Sequence, residues 1–383
     1  QRREQAAATV AKGYEELLDE RLEARQQRAR ELMALVVLAS RTDVWMRRWL
    51  TYDPDGVASA KYVKRAQMRK QVQQQEEEAR QQAFAKQQDR AIRETEEALV
   101  QTNFTIYPDD FHGIVPKMLV KEGEKVSLGQ PVFFSKTNPE MQFVSPVSGT
   151  LSKIVRGAKR RILEIQLKSD GKDKAVKHKI PALDKLSDAD VKSHLLASGC
   201  WPFIKQRPYD IIANPESNPK GIFISGFSTA PLAADVAFVL QDQQEDFQNG
   251  INVLATLAPK VHLSVSADDN SFLSSVNGVE IQRIKGIHPA GNVGVQVHHI
   301  DPVNAGETAW VVNPEDVANI GRFFTSGVFD QQKTVAVVGP VVTNPSYYKT
   351  RIGAAIAPLL EDVGISASGQ VRIINGDALS GAT

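Results

Sequence analysis

Glycine and proline divide this chain more sharply than any motif does. All but two of its 25 glycines and all but one of its 19 prolines lie beyond residue 98. Before that point there are only Gly13, Pro54 and Gly56. These two residue types break helices and build turns. A long segment almost free of them, and rich in Glu, Gln, Arg, Lys and Ala, is therefore expected to be helical. Turn chemistry at Tyr52-Asp53-Pro54-Asp55-Gly56 splits residues 1–98 into two helices. The first has an apolar side running from Leu17, Leu18 and Leu22 through Leu32, Leu35 and Val36 to Trp45 and Trp49. Its spacing is helical but not strictly heptad. The second is apolar at Val57, Tyr62, Val63, Met68 and Val72, then polar apart from Phe84 and Ile92. A polar helix bridges solvent or depends on a partner, so the arm reads either as an interaction element or as a solvated hairpin.

The chain's 383 residues suffice for two or three domains with their own cores. A formal net charge of +1 gives no general attraction to nucleic acid or to an anionic membrane. The single cysteine, Cys200, excludes an intrachain disulfide framework and most cysteine-ligated metal sites. Its setting, Gly-Cys-Trp-Pro-Phe, suits packing better than reactivity. No apolar run approaches the ~20 residues of a membrane helix, so any membrane role is expected to be peripheral.

From residue 99 to 182 short apolar runs alternate with turns: Phe104–Tyr107, Met118–Val120, Pro131–Phe134, Gln142–Val144, Thr150–Val155 and Arg161–Leu167. Such spacing predicts a small sandwich or barrel. Val120-Lys-Glu-Gly123, Gly129-Gln-Pro131-Val132 and Phe143-Val-Ser-Pro146-Val-Ser-Gly149 together resemble the barrel-sandwich fold of lipoyl and biotinyl domains. No Met-Lys-Met is present, and Lys136 lacks the tight exposed hairpin of a lipoyl lysine. Arg156-Gly-Ala-Lys159-Arg160-Arg161 is a basic cluster, open to phosphate or lipid headgroups or simply a solvated turn.

Residues 183–365 read as a Rossmann-like α/β domain. Ser187 caps a helix that Gly199 closes. Strands are expected at Gly221–Phe227, Val261–Val265, Thr308–Val312 and Thr334–Val338, and helices at Glu245–Leu257 and Pro314–Thr325. Their alternation predicts a largely parallel sheet. Phe203-Ile-Lys205-Gln-Arg207-Pro208-Tyr209-Asp210 is expected to be a loop carrying two cations. Gly286–Val303, GIHPAGNVGVQVHHIDPV, is expected to be a long loop, either functional or a satisfied structural one. His298 and His299 are adjacent and no cysteine is near, which argues against a metal site. Neither a Gly-x-Gly-x-x-Gly fingerprint after a strand nor a Walker sequence occurs, and no Ser/His/Asp or Cys/His constellation is evident.

Gly-x-His-Pro-Ala-Gly followed by His-x-x-Asp-Pro-Val, with Lys205-Gln-Arg207-Pro208 and Ile373-Ile-Asn-Gly376, resembles the A subunit of the sodium-translocating NADH:quinone oxidoreductases. The resemblance covers about residues 104–383. It implies a peripheral subunit on the cytoplasmic face of the bacterial inner membrane, with no catalytic residue, metal or redox cofactor of its own. FMN, FAD, riboflavin and a 2Fe–2S centre would reside in the other subunits, which would be its partners. It also implies an α/β fold like that of the flavin subunit of respiratory complex I, and a part in quinone access. His288, Pro289, Gly291, His298, Asp301, Lys205 and Arg207 are the candidate contacts to quinone or partner.

Residues 1–98 match nothing in that family. The chain stops where the family continues, so 366–383 reads as the start of a truncated C-terminal β-domain, and the whole as a fusion, composite or truncated chain. Asp377-x-x-Ser380-Gly-Ala-Thr383 resembles the motif whose threonine carries esterified FMN in other subunits, making Thr383 a flavin candidate. The rival readings are a scaffold acting through its helical arm and a flavin-binding oxidoreductase subunit. On the cofactor-free reading the purified chain is expected to be colourless. Stoichiometric absorbance at the flavin bands overturns this, and flavin that survives denaturation points to Thr383.

Overall fold

A computed structural model describes residues 95–97, 102–366, 369–377, 379 and 381. All of them lie in the second of the chain's two units, residues 81–383. The expected helical arm falls outside the described residues except at its end, where the expectation fails. Thr95–Glu97 forms a strand (β1) rather than helix, because pairing with a neighbouring strand outweighs the weak helix preference of three residues.

The first group of strands runs β2 (Asn103–Ile106), β3 (Pro116–Met118), β4 (Lys125–Val126), β5 (Pro131–Ser135), β6 (Gln142–Val144), β7 (Gly149–Arg156) and β8 (Ile162–Ser169). They build two antiparallel sheets, β2-β8-β7-β4 and β3-β5-β6. Each expected run overlaps a strand, Met118–Val120 only at Met118. Alternating side chains such as Val132, Phe133, Phe143, Leu151, Ile165 and Leu167 face a common core. Phe133 stacks on Phe143 with ring centroids 4.5 Å apart, and Phe111 meets Phe143 edge-on at 4.7 Å. Gly149 must be glycine, since a Cβ there would lie 2.0 Å from the Lys168 carbonyl oxygen.

The α/β body follows: α1 (Asp188–Ser198), β9 (Lys205–Arg207), β10 (Ile211–Ile212), β11 (Ile222–Ser225), α2 (Val236–Val239), α3 (Gln244–Leu254), β12 (Val261–Ser266), β13 (Glu280–Ile284), α4 (Val293–Ile300), β14 (Ala309–Val311) and α5 (Pro314–Ser326). Helix α1 starts on a capping box between Ser187 and Asp190 and ends at left-handed Gly199. A Cβ on Gly199 would meet Val144 at 2.8 Å, so the helix end seats closely on β6. The sheet order is β10-β9-β14-β11-β12-β13, with β14, β11, β12 and β13 parallel and β9 antiparallel to β14. Lys205 to Arg207, expected in a loop, thus form a strand. Ladder bonds to β14 order this polar segment, and its composition gave no sign of them.

Both sheet faces are covered. Ile222, Ile224, Leu263 and Val265 share a core with Phe247, Ile251 and Leu254 of α3 and Val317 and Ile320 of α5. On the opposite face Phe223, Ala309 and Val311 pack with Val297 of α4. Burial on both faces is why β11 and β14 read as continuous apolar runs.

The strand expected at Thr334–Val338 does not extend this sheet. It appears as β15 (Gln332–Val337), antiparallel to β16 (Ser346–Arg351), which in turn pairs in parallel with β1. A strand inside a parallel sheet is buried on both faces, whereas most of β15 is only partly buried. Tyr348 of β16 and Leu359 and Val363 of α6 (Ala357–Val363) form a separate small core. The α/β body therefore ends with α5 and not at residue 365. Among the described residues no helix is long and apolar enough to cross a membrane.

Helices α3 and α5 meet backbone to backbone. A Cβ on Gly321 would lie 1.8 Å from the Asp246 carbonyl oxygen, and one on Gly250 would lie 2.0 Å from that of Val317. Arg322 clasps the pair by donating to Asp246 (2.9 Å) and Gln243 (2.6 Å). Gly321→Ala is expected to cost about 3 kcal/mol through forced separation of the helices. Gly369→Ala, where an added Cβ meets nothing within 4 Å, is the control. Equal urea midpoints for the two variants would contradict the close contact.

Candidate functional site

The chain builds β11, β12 and β13 outward in one direction, then returns to place β14 on the other side of β11. In such sheets a reversal of this kind is the usual place for a ligand crevice, here at the carboxyl ends of β11 and β14. Ser225 ends β11 there. Val311 ends β14 beside its register partner Lys205.

Gly286–Val303 is not one loop. Residues 286–292 are irregular, and Val293–Ile300 is helix α4. Val293, Val297 and Ile300 form the helical stripe that packs toward Phe223. Glycine at 294 and valines at 293, 295 and 297 disfavour helix intrinsically, and packing on the sheet overrides that preference. The irregular part is pinned over the end of β11. The Gly291 N–H donates to Thr229 Oγ1 at 2.9 Å, and Thr229 Oγ1 lies 3.3 Å from His288 Nδ1. Ser225 Oγ reaches the Gly291 carbonyl at 3.1 Å and accepts from Gln296 Nε2 at 2.9 Å. A Cβ on Gly291 would lie 2.4 Å from the Thr229 nitrogen, so only glycine permits this approach. The His288–Pro289 and Arg207–Pro208 peptides are both cis.

Arg207 joins this region from β9. A Cβ on Gly294 would lie 3.9 Å from an Arg207 terminal nitrogen, placing the guanidinium beside the first turn of α4. Arg207 also reaches Asp210 at 3.4 Å. Its Nε and the Gln296 Oε1 are buried without hydrogen-bond partners among the described residues. Two large apolar side chains stand out at the tips of the flanking loops, Tyr209 at 79% exposure and Ile287 at 77%. Lys205 lies at the carboxyl end. Burial pushes its ammonium below the usual lysine range, against the opposing pull of Asp210, Asp316 and Asp110.

His288, Pro289 and Gly291 therefore share the loop pinned over β11, and the Arg207 side chain reaches Gly294 at the start of α4, while its backbone pairs with Ala309, at the other end of β14 from Lys205. His298 and Asp301 do not join them. His298 sits exposed in the last turn of α4, its ring 5.3 Å from that of His299. Asp301 follows α4 and pairs with Lys220 at 2.7 Å. Lys220 also donates to Glu307 at 2.8 Å and to the Pro302 carbonyl at 2.9 Å, so this end of the segment is tied to its own domain. Thr383 lies outside the described residues. Among the described residues no group of three or more His, Cys, Asp or Glu is placed to hold a metal ion. Cys200 is buried, and desolvation pushes its thiol up to about 12. Sequence reading missed Ser225, Thr229 and Gln296. The helical spacing of Val293, Val297 and Ile300 was the available signal for Gln296. Nothing local marked Ser225 or Thr229, whose shared partner Gly291 lies more than sixty residues away in sequence.

Three family models match the chain: the NqrA N-terminal barrel-sandwich hybrid domain over residues 87–170, the NqrA second alpha/beta domain over 186–329, and the NQRA C-terminal domain over 334–383. Curated relatives are named as the A subunits of Na(+)-translocating NADH-quinone reductases. That of Mannheimia succiniciproducens is 37% identical over 283 residues, 73% of this chain and 63% of its own. That of Pseudomonas aeruginosa is 38% identical over 276 residues, 72% of this chain and 61% of its own. That of Haemophilus influenzae is 35% identical over 280 residues, 72% and 62%. The chain thus spans less than two thirds of these relatives' lengths. Among solved structures, an NAD+-reducing [NiFe]-hydrogenase in the H2-reduced state aligns over 49% of this chain and 41% of its own, with TM-score 0.33 and 13% identity, too slight a likeness to argue from.

The Lys220 cluster generates a pH dependence. Hydrogen bonds from Lys220, then from Asn304, hold the Glu307 carboxyl down at about 2, against an ordinary 4.5. A carboxylate depressed by folding stabilises the fold above its unfolded pKa, and that contribution is lost as pH falls through the folded one. The stability advantage of the parent over Glu307→Gln is expected to be full above pH 4.5 and to fade towards pH 2. Paired denaturant melts across that window check it, and a constant difference would refute the link.

Proposed function

Because residues 87–383 belong to the NqrA family, the A subunits of the Na(+)-translocating NADH-quinone reductases, we propose that this chain is an accessory subunit of such a sodium-pumping complex, free of redox cofactors itself. It braces the membrane subunits from the cytoplasmic face and shapes the approach of quinone. FMN, FAD, riboflavin and the 2Fe–2S centre sit in its partners. The α/β body is a Rossmann-like relative of the complex I flavin subunit that has kept the fold without the flavin, and residues 1–98 contribute a separate partner contact.

The observation that carries the reading is the surface at the carboxyl end of β11. The His288–Gly291 loop is pinned over the end of β11, the first turn of α4 that follows it meets the Arg207 guanidinium, and Tyr209 and Ile287 stand exposed on the adjoining loops. A guanidinium and an imidazole beside exposed apolar side chains can hydrogen-bond a quinone carbonyl or a partner's backbone while apolar contact adds area. His298 and Asp301, at the far end of α4, serve the scaffold.

The test is assembly and quinone reduction in the complex purified from native membranes. Arg207→Gln is expected to weaken association or quinone affinity about tenfold. His288→Gln should act in the same direction, with both variants melting like the parent. His298→Gln should leave both activities intact. If His298→Gln is as damaging as Arg207→Gln, or if neither Arg207 nor His288 matters, the surface is misplaced.

A further inference from the structure

The β7–β8 hairpin carries a feature that the crevice does not use. Its tip is Gly157-Ala-Lys-Arg-Arg161, preceded by Arg156, and Arg156, Lys159, Arg160 and Arg161 are all exposed. The turn has a defined shape. The Gly157 N–H donates to the Arg161 carbonyl at 2.8 Å, the Arg161 N–H to that of Ala158 at 3.1 Å, and Arg156 Nη1 to that of Arg160 at 3.3 Å. Lys159 (φ 53°, ψ 28°) and Arg160 (φ 61°) occupy the left-handed region, which residues with a Cβ avoid. Asn or Gly would sit there at less cost, so two successive long cations are an expensive choice for a plain turn.

The charges are largely uncompensated. Arg161 pairs with Asp109 at 2.7 Å. Among the described residues no carboxylate pairs with Arg156, Lys159 or Arg160. The Arg161–Asp109 bond also ties the tip to the turn Pro108–Asp110, beside which Tyr107 stands 46% exposed. An amphipathic ring next to clustered cations is the composition of a membrane-interface anchor.

We propose that this hairpin tip docks on the anionic headgroups of a lipid bilayer. The tip is narrow and convex. It offers neither the flat area nor the apolar centre that a stable protein interface requires. A fluid anionic surface conforms to a convex cluster and needs no matching shape. The chain's net charge of +1 makes the attraction local to the tip and not a property of the whole molecule. The proposal is independent of the quinone or partner role assigned to the crevice, since the two sites share no residue.

Co-sedimentation of the full chain with vesicles tests it. Vesicles of phosphatidylcholine with about 30 mol% phosphatidylglycerol serve as the anionic surface and pure phosphatidylcholine as the neutral one. Lys159→Asn/Arg160→Asn keeps residues that tolerate the left-handed backbone while removing two charges. At low salt this variant is expected to partition about 25-fold less onto anionic vesicles, about five-fold for each cation. Lys136→Asn/Lys174→Asn removes the same charge elsewhere and should bind like the parent, and the parent's binding should fall as salt rises. Equal binding to neutral vesicles overturns the proposal. So does an unchanged tip variant, or an equal loss in the Lys136/Lys174 control.

Discussion

The two-sided burial of β11 is the constraint on which the rest of the α/β body depends. Ile222 and Ile224 face the core shared with α3 and α5, while Phe223 between them faces α4. Each such side chain contributes about 2 kcal/mol of apolar burial. The larger consequence is geometric. With both faces occupied, a one-residue slip of β11 would exchange the side chains packed on α3 and α5 with the one packed on α4 and mispack both cores. Its carboxyl end, Ser225, is therefore held at a fixed height, and the irregular loop before α4 is hung from it through Ser225, Thr229 and Gln296.

Helix α4 divides the labour along its length. Its C-terminal end leads into Asp301, whose ion pair with Lys220 anchors the return to β14. Its N-terminal end faces Arg207, a cation placed where the helix dipole is also positive. Such an arrangement is unfavourable for folding unless something negative or hydrogen-bond accepting is supplied, as Asp210 does in part. One end is thus closed by internal partners and the other is left with unmet polar groups. That asymmetry, more than the count of histidines, separates scaffold from contact surface.

The body is assembled from pieces distant in sequence. Thr95–Glu97, at the leading edge, pairs with β16, some 250 residues later. Arg351 of β16 holds Asp173 in a two-pronged contact, binding the segment after the small β-domain to the last sheet. The barrel-like domain, the α/β body and the terminal sheet are thereby joined through backbone pairing and ion pairs as well as through the chain itself.

Much of this was legible locally. The capping box at Ser187, the closing Gly199, Asn313 before Pro314 and the glycine turns of the small β-domain each follow from the conformational preference of single residues, which no tertiary context had to supply. The continuous apolar run of β11 likewise reports its burial directly. What the sequence could not determine depends on partners far along the chain. Lys205–Arg207 became a strand because β14 offered it a ladder. Val-Gly-Val-Gln-Val-His-His-Ile became a helix because Phe223, Ala309 and Val311 cover its apolar stripe. Thr334–Val337 left the parallel sheet because β16 and β1 formed another. Propensity differences of a few tenths of a kcal/mol per residue decide structure only where nothing larger competes. In these three segments the backbone pairing and apolar burial came from residues that only the folded chain brings near.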